Sequence, residues 1–175
     1  MKVLIFGATG TVGRKLVTQA LELGHTVTAF ARDPSKLEIK HPSLEIIEGN
    51  VMDSALVDRA VTGHDAVVVA LGAGIKGQVR STGTRNIIEA MQRNGVRRLV
   101  CLSTLGAGDS RVHLNFYWKY IMFGMLLRAV LADHVAQEEH VIRSGLDWTI
   151  VRPAAYTDGE RTGNYRHGFP ATAKG

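Results

Sequence analysis

Residues 3–13 read VLIFGATGTVG, an apolar run that breaks directly into three evenly spaced glycines. A helical pattern of apolar residues follows over residues 16–23 and ends at Gly24. A strand, a glycine turn and a helix in this order form a phosphate-binding element, because the unpaired N–H groups at the helix N-terminus face the anion. The sequence therefore predicts that a dinucleotide binds over residues 7–13.

The three glycines of this turn have different predicted tasks. Gly7 allows the tight turn, Gly10 lets the backbone approach a pyrophosphate, and Gly13 lets the helix pack closely on the strand. Their spacing is G-x-x-G-x-x-G, whereas the standard dinucleotide fingerprint is G-x-G-x-x-G. A purely structural glycine turn is the alternative, and the position between a strand and a helix favours dinucleotide binding.

Length and composition are those of a soluble globular domain. The 175 residues are 45% hydrophobic and 21% charged, and no apolar run approaches the ~20 residues of a membrane helix. The single cysteine, Cys101, excludes an intrachain disulfide and fits a reducing compartment. We expect one cytoplasmic domain over residues 1–175 that does not enter a membrane. Such domains often continue further, so either the chain is short or a C-terminal strand and helix are missing.

The net charge of +5 has two interpretations. One is a nucleic-acid partner, and the other is a basic site that attracts a negatively charged dinucleotide. The densest basic cluster (Arg93, Arg97 and Arg98) has no interleaved aromatic residues of the kind that bind single strands. The charge therefore favours the cofactor over nucleic acid. The seven histidines are scattered without a zinc motif, so no metal site is predicted.

Apolar runs alternate with helical patterns along the whole chain. A helix over Ala55–Val61 is capped by Asp53, another runs from Thr82 to Asn94, and a long helical segment spans Ile121–Ser144. This alternation predicts an α/β fold with a doubly wound parallel sheet. The predicted strands are Val3–Phe6, Thr26–Phe30, Leu44–Ile47, Ala66–Ala70, Leu99–Leu102 and Thr149–Val151.

The end of the second strand distinguishes the two common dinucleotides. An acidic residue there binds the ribose 2′-hydroxyl of NAD, and an arginine accommodates the 2′-phosphate of NADP. Arg32 occupies this place, and Arg14, at the start of the first helix, is a second candidate for the same phosphate. The alternative makes Asp33 the ribose ligand and Arg32 a surface charge. The guanidinium favours NADP(H) over NAD(H).

Further candidate contacts follow the third, fourth and fifth strands. Asn50 is predicted to hydrogen-bond the adenine amino group and Val51 to pack on the ring, with a turn and helix cap as the alternative. The stretch Leu71-Gly72-Ala73-Gly74 either passes along the cofactor or forms a flexible loop. Ser103, followed by Thr104, is placed to position nicotinamide or substrate, or is only a hydroxyl in a turn.

Three stretches carry a family resemblance: Ile5–Gly10, Ala31–Asp33 and Ser144–Pro153. With them the chain resembles the atypical short-chain dehydrogenase/reductases with an NAD(P)H-binding domain, and within these the biliverdin-IXβ reductase/flavin reductases and the NmrA-like proteins. The resemblance implies a Rossmann-like, three-layer fold. Together with the analysis above, the predicted cofactor-binding residues are Gly7, Thr9, Gly10, Thr11, Val12, Gly13, Arg14, Arg32, Asn50, Val51, Leu71, Gly72, Ser103 and Thr104.

The chain departs from the resembled families at three places. The Tyr-x-x-x-Lys pair that most dehydrogenases of the wider superfamily use is absent, which argues against alcohol dehydrogenation by that pair. Asn50 stands where the family usually has aspartate, and Ala154-Ala155-Tyr156 stands where the biliverdin reductases carry a histidine. The residues four positions after Tyr117, Tyr120, Tyr156 and Tyr165 are Ile121, Gly124, Glu160 and Phe169.

Hydride transfer to a planar acceptor needs less from the protein. The site must hold the donor carbon against the acceptor and exclude water, while solvent supplies the proton. We therefore predict NADPH-dependent reduction of a flavin, a quinone or a similar small substrate, with Ser103 and His134 as catalytic candidates. His134 and Glu138 form either an acid–base pair or a surface contact between successive helical turns.

The densest aromatic stretch, Phe116–Phe123, also has two interpretations. It lines the pocket of a planar acceptor, or it packs as an apolar helix or in an oligomer interface. The competing function is a non-catalytic, NmrA-like sensor that binds NADP(H) without turnover. A deep acceptor pocket would favour the enzyme, and an exposed apolar patch near Trp118 would favour the sensor.

Overall fold

Six parallel strands form one sheet in the order β3-β2-β1-β4-β5-β6. This is a computed structural model, and it describes residues 1–72 and 78–154 together with Gly163 and Gly168. The predicted α/β class with a doubly wound parallel sheet is confirmed. The strands are β1 Lys2–Phe6, β2 Thr26–Ala31, β3 Leu44–Glu48, β4 Ala66–Val69, β5 Arg98–Leu102 and β6 Asp147–Val151.

Helices cover both faces of the sheet. On one face Val17 and Leu21 of the first α-helix pack against β1 and β2. On the other face Ile87 and Met91 of the third α-helix share a core with residues of the second and fourth α-helices. The result is the expected three-layer Rossmann-like arrangement. No helix in the described part of the chain is long and apolar enough to cross a membrane. The α-helices are α1 Thr11–Glu22, α2 Ser54–Val61, α3 Val79–Arg93 and α4 Arg128–Ile142.

The chain order reverses between β1 and β4, and this reversal positions the site. From β1 the chain moves outward to β3, then returns to place β4 on the other side of β1, with Phe6 beside both Phe30 and Val69. In doubly wound sheets ligands bind at the carboxyl ends of the strands where the order reverses. The glycine turn after β1 and the loop after β4 therefore meet at one edge.

The long helix predicted over Ile121–Ser144 is two elements. A π-helix spans Tyr117–Leu126, and α4 begins after it at Arg128. The break lies at Leu127, whose φ of −112° and ψ of 22° leave the helical region. Its N–H donates to the Met122 carbonyl five residues back at 2.7 Å, which ends the π-helix. Apolar periodicity carried no sign of this change in hydrogen bonding.

Helix α3 begins at Val79, three residues before the predicted start at Thr82. The reason is a cap that comes from α4. The Asp133 carboxylate accepts hydrogen bonds from the backbone N–H groups of Arg80 (3.2 Å) and Ser81 (2.9 Å). A side chain 52 residues away thus satisfies two donors that a helix start leaves unpaired.

Some predicted features lie outside the described residues. These are Ala73 and Gly74 of the loop after β4, and Ala155, Tyr156 and the positions around Tyr165 near the C-terminus.

Candidate active site

The three glycines after β1 are distinct in their surroundings. Gly7 has a φ of +81°, and a Cβ there would lie 2.3 Å from the Ala70 carbonyl oxygen. A Cβ on Gly13 would lie 2.1 Å from the Gly7 carbonyl oxygen. At Gly10 the nearest atom would be 3.3 Å away, and this residue borders open space. Gly7 and Gly13 are therefore needed for the turn and the packing of α1, while Gly10 faces the cleft.

The N-terminus of α1 fits an anion. Gly10 is the N-cap residue and offers no side chain to the first N–H groups, and the first turn contains no acidic residue. Thr11 and Val12 of that turn border a cavity, and Lys15 lies beside them. Unpaired N–H groups and the positive end of the helix dipole stabilise negative charge there. A cofactor pyrophosphate fits this position.

A cavity of about 170 Å³ extends from the glycine turn to the ends of β2 and β3. Phe30 and Val51 give it apolar walls, and Arg32 is its charged residue. Its full lining is Gly7, Thr9, Gly10, Phe30, Ala31, Arg32, Gly49, Val51, Leu71, Gly72 and Val79.

A second cavity of about 630 Å³ lies beyond the turn, between α1, α4 and the ends of β4 and β5. It shares Gly10, Leu71 and Gly72 with the first, so the two cavities adjoin, and together they are called the cleft. Its full lining is Gly10, Thr11, Val12, Lys15, Leu16, Gln19, Ala70, Leu71, Gly72, Arg80, Leu102, Ser103, Thr104 and His134.

Most of the predicted cofactor-binding residues border this cleft, and three do not. Gly13 is enclosed by the turn, and Arg14 is exposed on α1. Asn50 is also exposed, and its side-chain oxygen accepts a hydrogen bond from the Met52 N–H at 3.1 Å. The predicted cap by Asp53 is present, since its carboxylate accepts from the Leu56 N–H at 3.0 Å. The turn at Asn50 and the helix cap by Asp53, which were the alternative to an adenine contact, are therefore both present. The adenine contact of Asn50 stays a prediction.

At the end of β2, Arg32 and Asp33 have different surroundings and different roles. The Asp33 carboxylate accepts hydrogen bonds from the Ser35 N–H (3.2 Å) and hydroxyl (2.5 Å), and it lies 3.2 Å from the Lys36 ammonium. The hydrogen bonds from Ser35 lower the pKa of Asp33, and Lys36 adds to this shift. Asp33 therefore stabilises the 3₁₀ turn Pro34–Lys36, while the exposed Arg32 borders the first cavity.

Ser103 and His134 come together in the second cavity. Ser103 is 4% exposed and His134 8% exposed, and neither the Ser103 hydroxyl nor the His134 Nδ1 has a hydrogen-bond partner among the described residues. Burial and, to a smaller extent, the nearby Arg80 charge lower the pKa of His134 to about 4. His134 is therefore a neutral imidazole at physiological pH.

The suggested pairing of His134 with Glu138 takes neither predicted form. Both side chains are buried, so a surface contact is wrong. Each Glu138 carboxylate oxygen accepts a hydrogen bond from Arg152, from Nε at 2.8 Å and from Nη2 at 2.7 Å. This bidentate pair raises the pKa of Arg152, and Asp109 contributes a further contact at 2.7 Å. Glu138 thus joins α4 to the end of β6.

Arg80 is a cavity residue that the sequence analysis missed. Its side chain is 12% exposed and borders the second cavity from the first turn of α3. Its Nη1 lies 3.6 Å from the nearest Asp133 carboxylate oxygen. The prediction that α3 starts at Thr82 left Arg80 in a loop. The sequence offered one indication of this role. Arg80 is a single arginine just before a predicted helix, at the carboxyl end of β4, where such sheets bind ligands.

The aromatic segment Phe116–Phe123 borders neither of these two cavities. Phe116 is 72% exposed and Trp118 43% exposed, whereas Phe123 is buried. The pocket-lining interpretation therefore has no support within the described residues. Among those residues no group of three or more histidine, cysteine, aspartate or glutamate side chains could hold a metal.

Residues 7–175 match a family of NAD(P)H-binding proteins. The chain belongs to this family. The predicted resemblance to atypical short-chain dehydrogenase/reductases with an NAD(P)H-binding domain is thereby confirmed. The match begins at Gly7, the first glycine of the phosphate-binding turn, and includes the residues around both cavities.

Individual relatives match over most of this chain. The chain is 30% identical to an uncharacterised chloroplastic protein of Arabidopsis thaliana over 93% of its own length and 62% of the relative's. It is 28% identical to (4-alkanoyl-5-oxo-2,5-dihydrofuran-3-yl)methyl phosphate reductase of Streptomyces griseus, over 88% and 48% of the two lengths. The chain thus spans less than two thirds of these curated relatives.

Solved structures show the same fold. An anaerobilin reductase from Escherichia coli O157:H7 superposes with a TM-score of 0.77 at 24% identity, over 93% of this chain and 77% of that one. At this identity the likeness concerns the fold, and it agrees with the predicted Rossmann-like class.

Proposed function

We propose that this chain is an NADP(H)-dependent oxidoreductase that transfers hydride to a small planar acceptor such as a flavin or a quinone. The observation that carries the proposal is the cleft, in which a cavity of about 170 Å³ bordered by Arg32 adjoins, at Gly10, a cavity of about 630 Å³ bordered by Ser103. A dinucleotide needs the first part and the turn, and the larger cavity leaves room for an acceptor beside its reactive end. The relative from Streptomyces griseus is itself named a reductase.

The adenosine end of the cleft supports NADP(H) over NAD(H). The Asp33 carboxylate is already engaged by Ser35 and Lys36, which leaves Arg32 as the group available to the ribose substituent. A guanidinium is well suited to a phosphate because its planar donors match phosphate oxygens. Val51 packs on the adenine in this proposal, and Arg14 and Asn50 are outer contacts.

The bound nicotinamide supplies the hydride, and the protein positions it. The glycine turn and the N-terminus of α1 hold the pyrophosphate, while Leu71 and Gly72 lie along the cofactor. The Ser103 hydroxyl, which has no partner among the described residues, hydrogen-bonds the carboxamide or the acceptor. Neutral His134 orients the acceptor, and solvent supplies the proton, since a pKa near 4 leaves this imidazole uncharged.

The direct test measures NADPH oxidation with FMN, riboflavin or a quinone as the acceptor. We expect slow to moderate turnover with at least one acceptor. Ser103→Ala should lower kcat only modestly, by about 10-fold or less, because the hydroxyl positions and does not transfer a proton. Ser35→Ala is not a suitable control, because the Ser35 hydroxyl contacts Asp33. The control is Ser43→Ala, at the residue just before β3. Absence of NADPH oxidation across the acceptors would remove the enzyme proposal.

A second candidate function is a redox sensor that binds NADP(H) without turnover. It is favoured by the exposed apolar segment Phe116–Phe123, which offers a surface for a second protein molecule. The same assay distinguishes the two candidates, because a sensor binds NADPH but does not consume it. We further propose that this segment mediates self-association and that nucleic acid is not a partner.

We also propose a cytoplasmic location for a single domain over residues 1–175. Cys101 is buried, and burial raises the pKa of its thiol to about 12, so it is not a reactive cysteine. The Arabidopsis relative is described as chloroplastic, which makes location a property to measure. Fractionation of cells that express the tagged protein is the test, and recovery in an organelle fraction would contradict the proposal.

A further inference from the structure

We propose that the acceptor carries an oxyanion, a phosphate or a carboxylate, that binds between Arg80, Ser103 and His134 in the larger cavity. This inference rests on the proposed function and names the substrate class of the same site. It assigns Arg80 as the residue that recognises the charge, a role separate from hydride transfer.

Arg80 is a largely buried cation that forms only a loose ion pair, with Asp133, within the described part of the chain. Its nearest carboxylate oxygen, Oδ2 of Asp133, lies 3.6 Å from Nη1, which is beyond hydrogen-bond distance. Nε and Nη1 are both buried, and neither has a hydrogen-bond partner among the described residues. Leaving such donors unsatisfied is costly, and an oxyanion in the adjoining cavity would satisfy them.

Asp133 accepts no hydrogen bond from these two donors in the present geometry. Its carboxylate already accepts hydrogen bonds from the Arg80 N–H (3.2 Å), the Ser81 N–H (2.9 Å) and the Ser81 hydroxyl (2.7 Å). These contacts lower the pKa of Asp133 against the effect of burial and keep the group ionised. Asp133 therefore holds the first turn of α3 in place, and the Arg80 side chain borders the larger cavity.

Two further polar atoms without partners border the same cavity. The Ser103 hydroxyl and the His134 Nδ1 belong to side chains that are 4% and 8% exposed, and neither atom is paired within the described part of the chain. One hydroxyl donor, one neutral imidazole and one guanidinium suit an oxyanion, which accepts several hydrogen bonds but needs one compensating charge. A neutral acceptor would add no charge to the Asp133 carboxylate 3.6 Å from the guanidinium, and it would leave the buried Nε and Nη1 donors without a charged acceptor.

The position of Arg80 favours the acceptor over the cofactor phosphates. The pyrophosphate is provided for by Gly10 and the N-terminus of α1, and the 2′-phosphate by Arg32. Arg80 borders the larger cavity, as Ser103 does, and not the smaller one. A role for Arg80 in binding the cofactor is the competing possibility, and the experiment separates the two.

The test uses two pairs of acceptors that share a ring and differ in one anionic group. These are FMN with riboflavin, and 1,4-naphthoquinone-2-sulfonate with 1,4-naphthoquinone. Dissociation constants are measured by calorimetry on the NADP⁺ complex, in which no hydride is available. We expect the charged member of at least one pair to bind about 10-fold more tightly or better, as charged hydrogen bonds allow. Arg80→Gln should remove this preference and leave the neutral member's Kd unchanged.

Two variants control for charge and folding. Arg97→Gln removes one exposed positive charge at the turn before β5, far from the carboxyl ends of the strands, and should retain the preference. Arg80→Lys keeps the charge but loses the planar fork, so it should retain part of the preference and folds with the Asp133 contact available. Thermal melting of each variant confirms that it is folded before binding is measured.

Equal binding of both members of each pair by the unaltered protein would overturn the inference. So would an undiminished preference in Arg80→Gln, or no binding of any of the four compounds. A loss of NADPH affinity in Arg80→Gln would assign Arg80 to the cofactor and overturn it too. An Arg80-dependent preference without NADPH oxidation would support the oxyanion site while removing the proposed reductase activity, so the two failures are distinguishable.

Discussion

Arg32 is the residue that decides the cofactor in the proposed function. Its guanidinium borders the smaller cavity, while the neighbouring Asp33 carboxylate is held by Ser35 and Lys36. We expect Arg32→Gln to weaken NADPH binding by about 1.5–3 kcal/mol, the range for a lost charged hydrogen bond, and to leave NADH binding nearly unchanged.

Calorimetric titration of both dinucleotides measures this effect. Arg59→Gln on α2 removes the same charge from a residue that borders neither of the two cavities, and it should change neither affinity. Equal affinities for NADPH and NADH in the unaltered protein would contradict the assignment of Arg32.

His134 makes the stability of the protein depend on pH. Its pKa falls from 6.5 in the unfolded chain to about 4 in the folded protein, chiefly because burial disfavours the imidazolium. The unfolded state therefore binds the proton more strongly, and stability falls as pH decreases from 6.5 to about 4, then stops changing through this group.

We expect His134→Gln to reduce the loss of melting temperature over this range of pH. The exposed His113→Gln, at the end of the 3₁₀ helix Gly108–His113, is the matched control and should leave the profile unchanged. Identical profiles for His134→Gln and the unaltered protein would show that the histidine is not buried in its neutral form.

At the scale of the element, the glycine turn and α1 act as one phosphate-binding unit. A side chain at Gly10 would extend into the cleft, whereas one at Gly13 would meet the Gly7 backbone. We expect Gly10→Val to abolish NADPH binding while the protein remains folded. Circular dichroism and calorimetry measure the two properties separately, and normal binding by this variant would disprove the phosphate-turn interpretation.

The N-terminus of α3 depends on α4 for its cap. Asp133 accepts two backbone N–H groups there, and it is the nearest carboxylate to the buried Arg80 charge. We expect Asp133→Ala to lower the free energy of unfolding by about 3 kcal/mol, since it leaves buried donors and a charge without a partner. Asp53→Ala, which removes the local cap of α2, should cost only about 1 kcal/mol. Urea unfolding of both variants is the measurement, and equal losses would contradict the coupling.

At the scale of the whole molecule, the π-helix presents an apolar surface to solvent. Tyr117, Trp118 and Met125 are all exposed in the same segment. Because exposed apolar patches mark interaction sites, we expect the protein to self-associate and Trp118→Glu to shift it towards the monomer. Sedimentation velocity measures this shift. Leu23→Glu, which adds the same charge at an exposed apolar residue after α1, should have no effect; a monomer at all concentrations would contradict the proposal.

The sequence by itself determined the features that depend on neighbouring residues. The strand, turn and helix over residues 2–22 follow from apolar periodicity and glycine positions, both of which are local. The alternation of strands and helices predicted the α/β class for the same reason, and the cap of α2 by Asp53 spans only three residues. Arg32 could be placed at the end of β2 because a strand end is visible in the sequence.

Only the tertiary structure decided the features that join α4 to distant segments. Asp133 extends α3 to Val79, and Glu138 pairs with Arg152 instead of His134. These contacts cross 14 to 53 residues, and they depend on how the helices pack on the sheet. Arg80 lines the larger cavity for the same reason: its helix begins where a carboxylate from another helix satisfies the first N–H groups, and no local pattern encodes that distance.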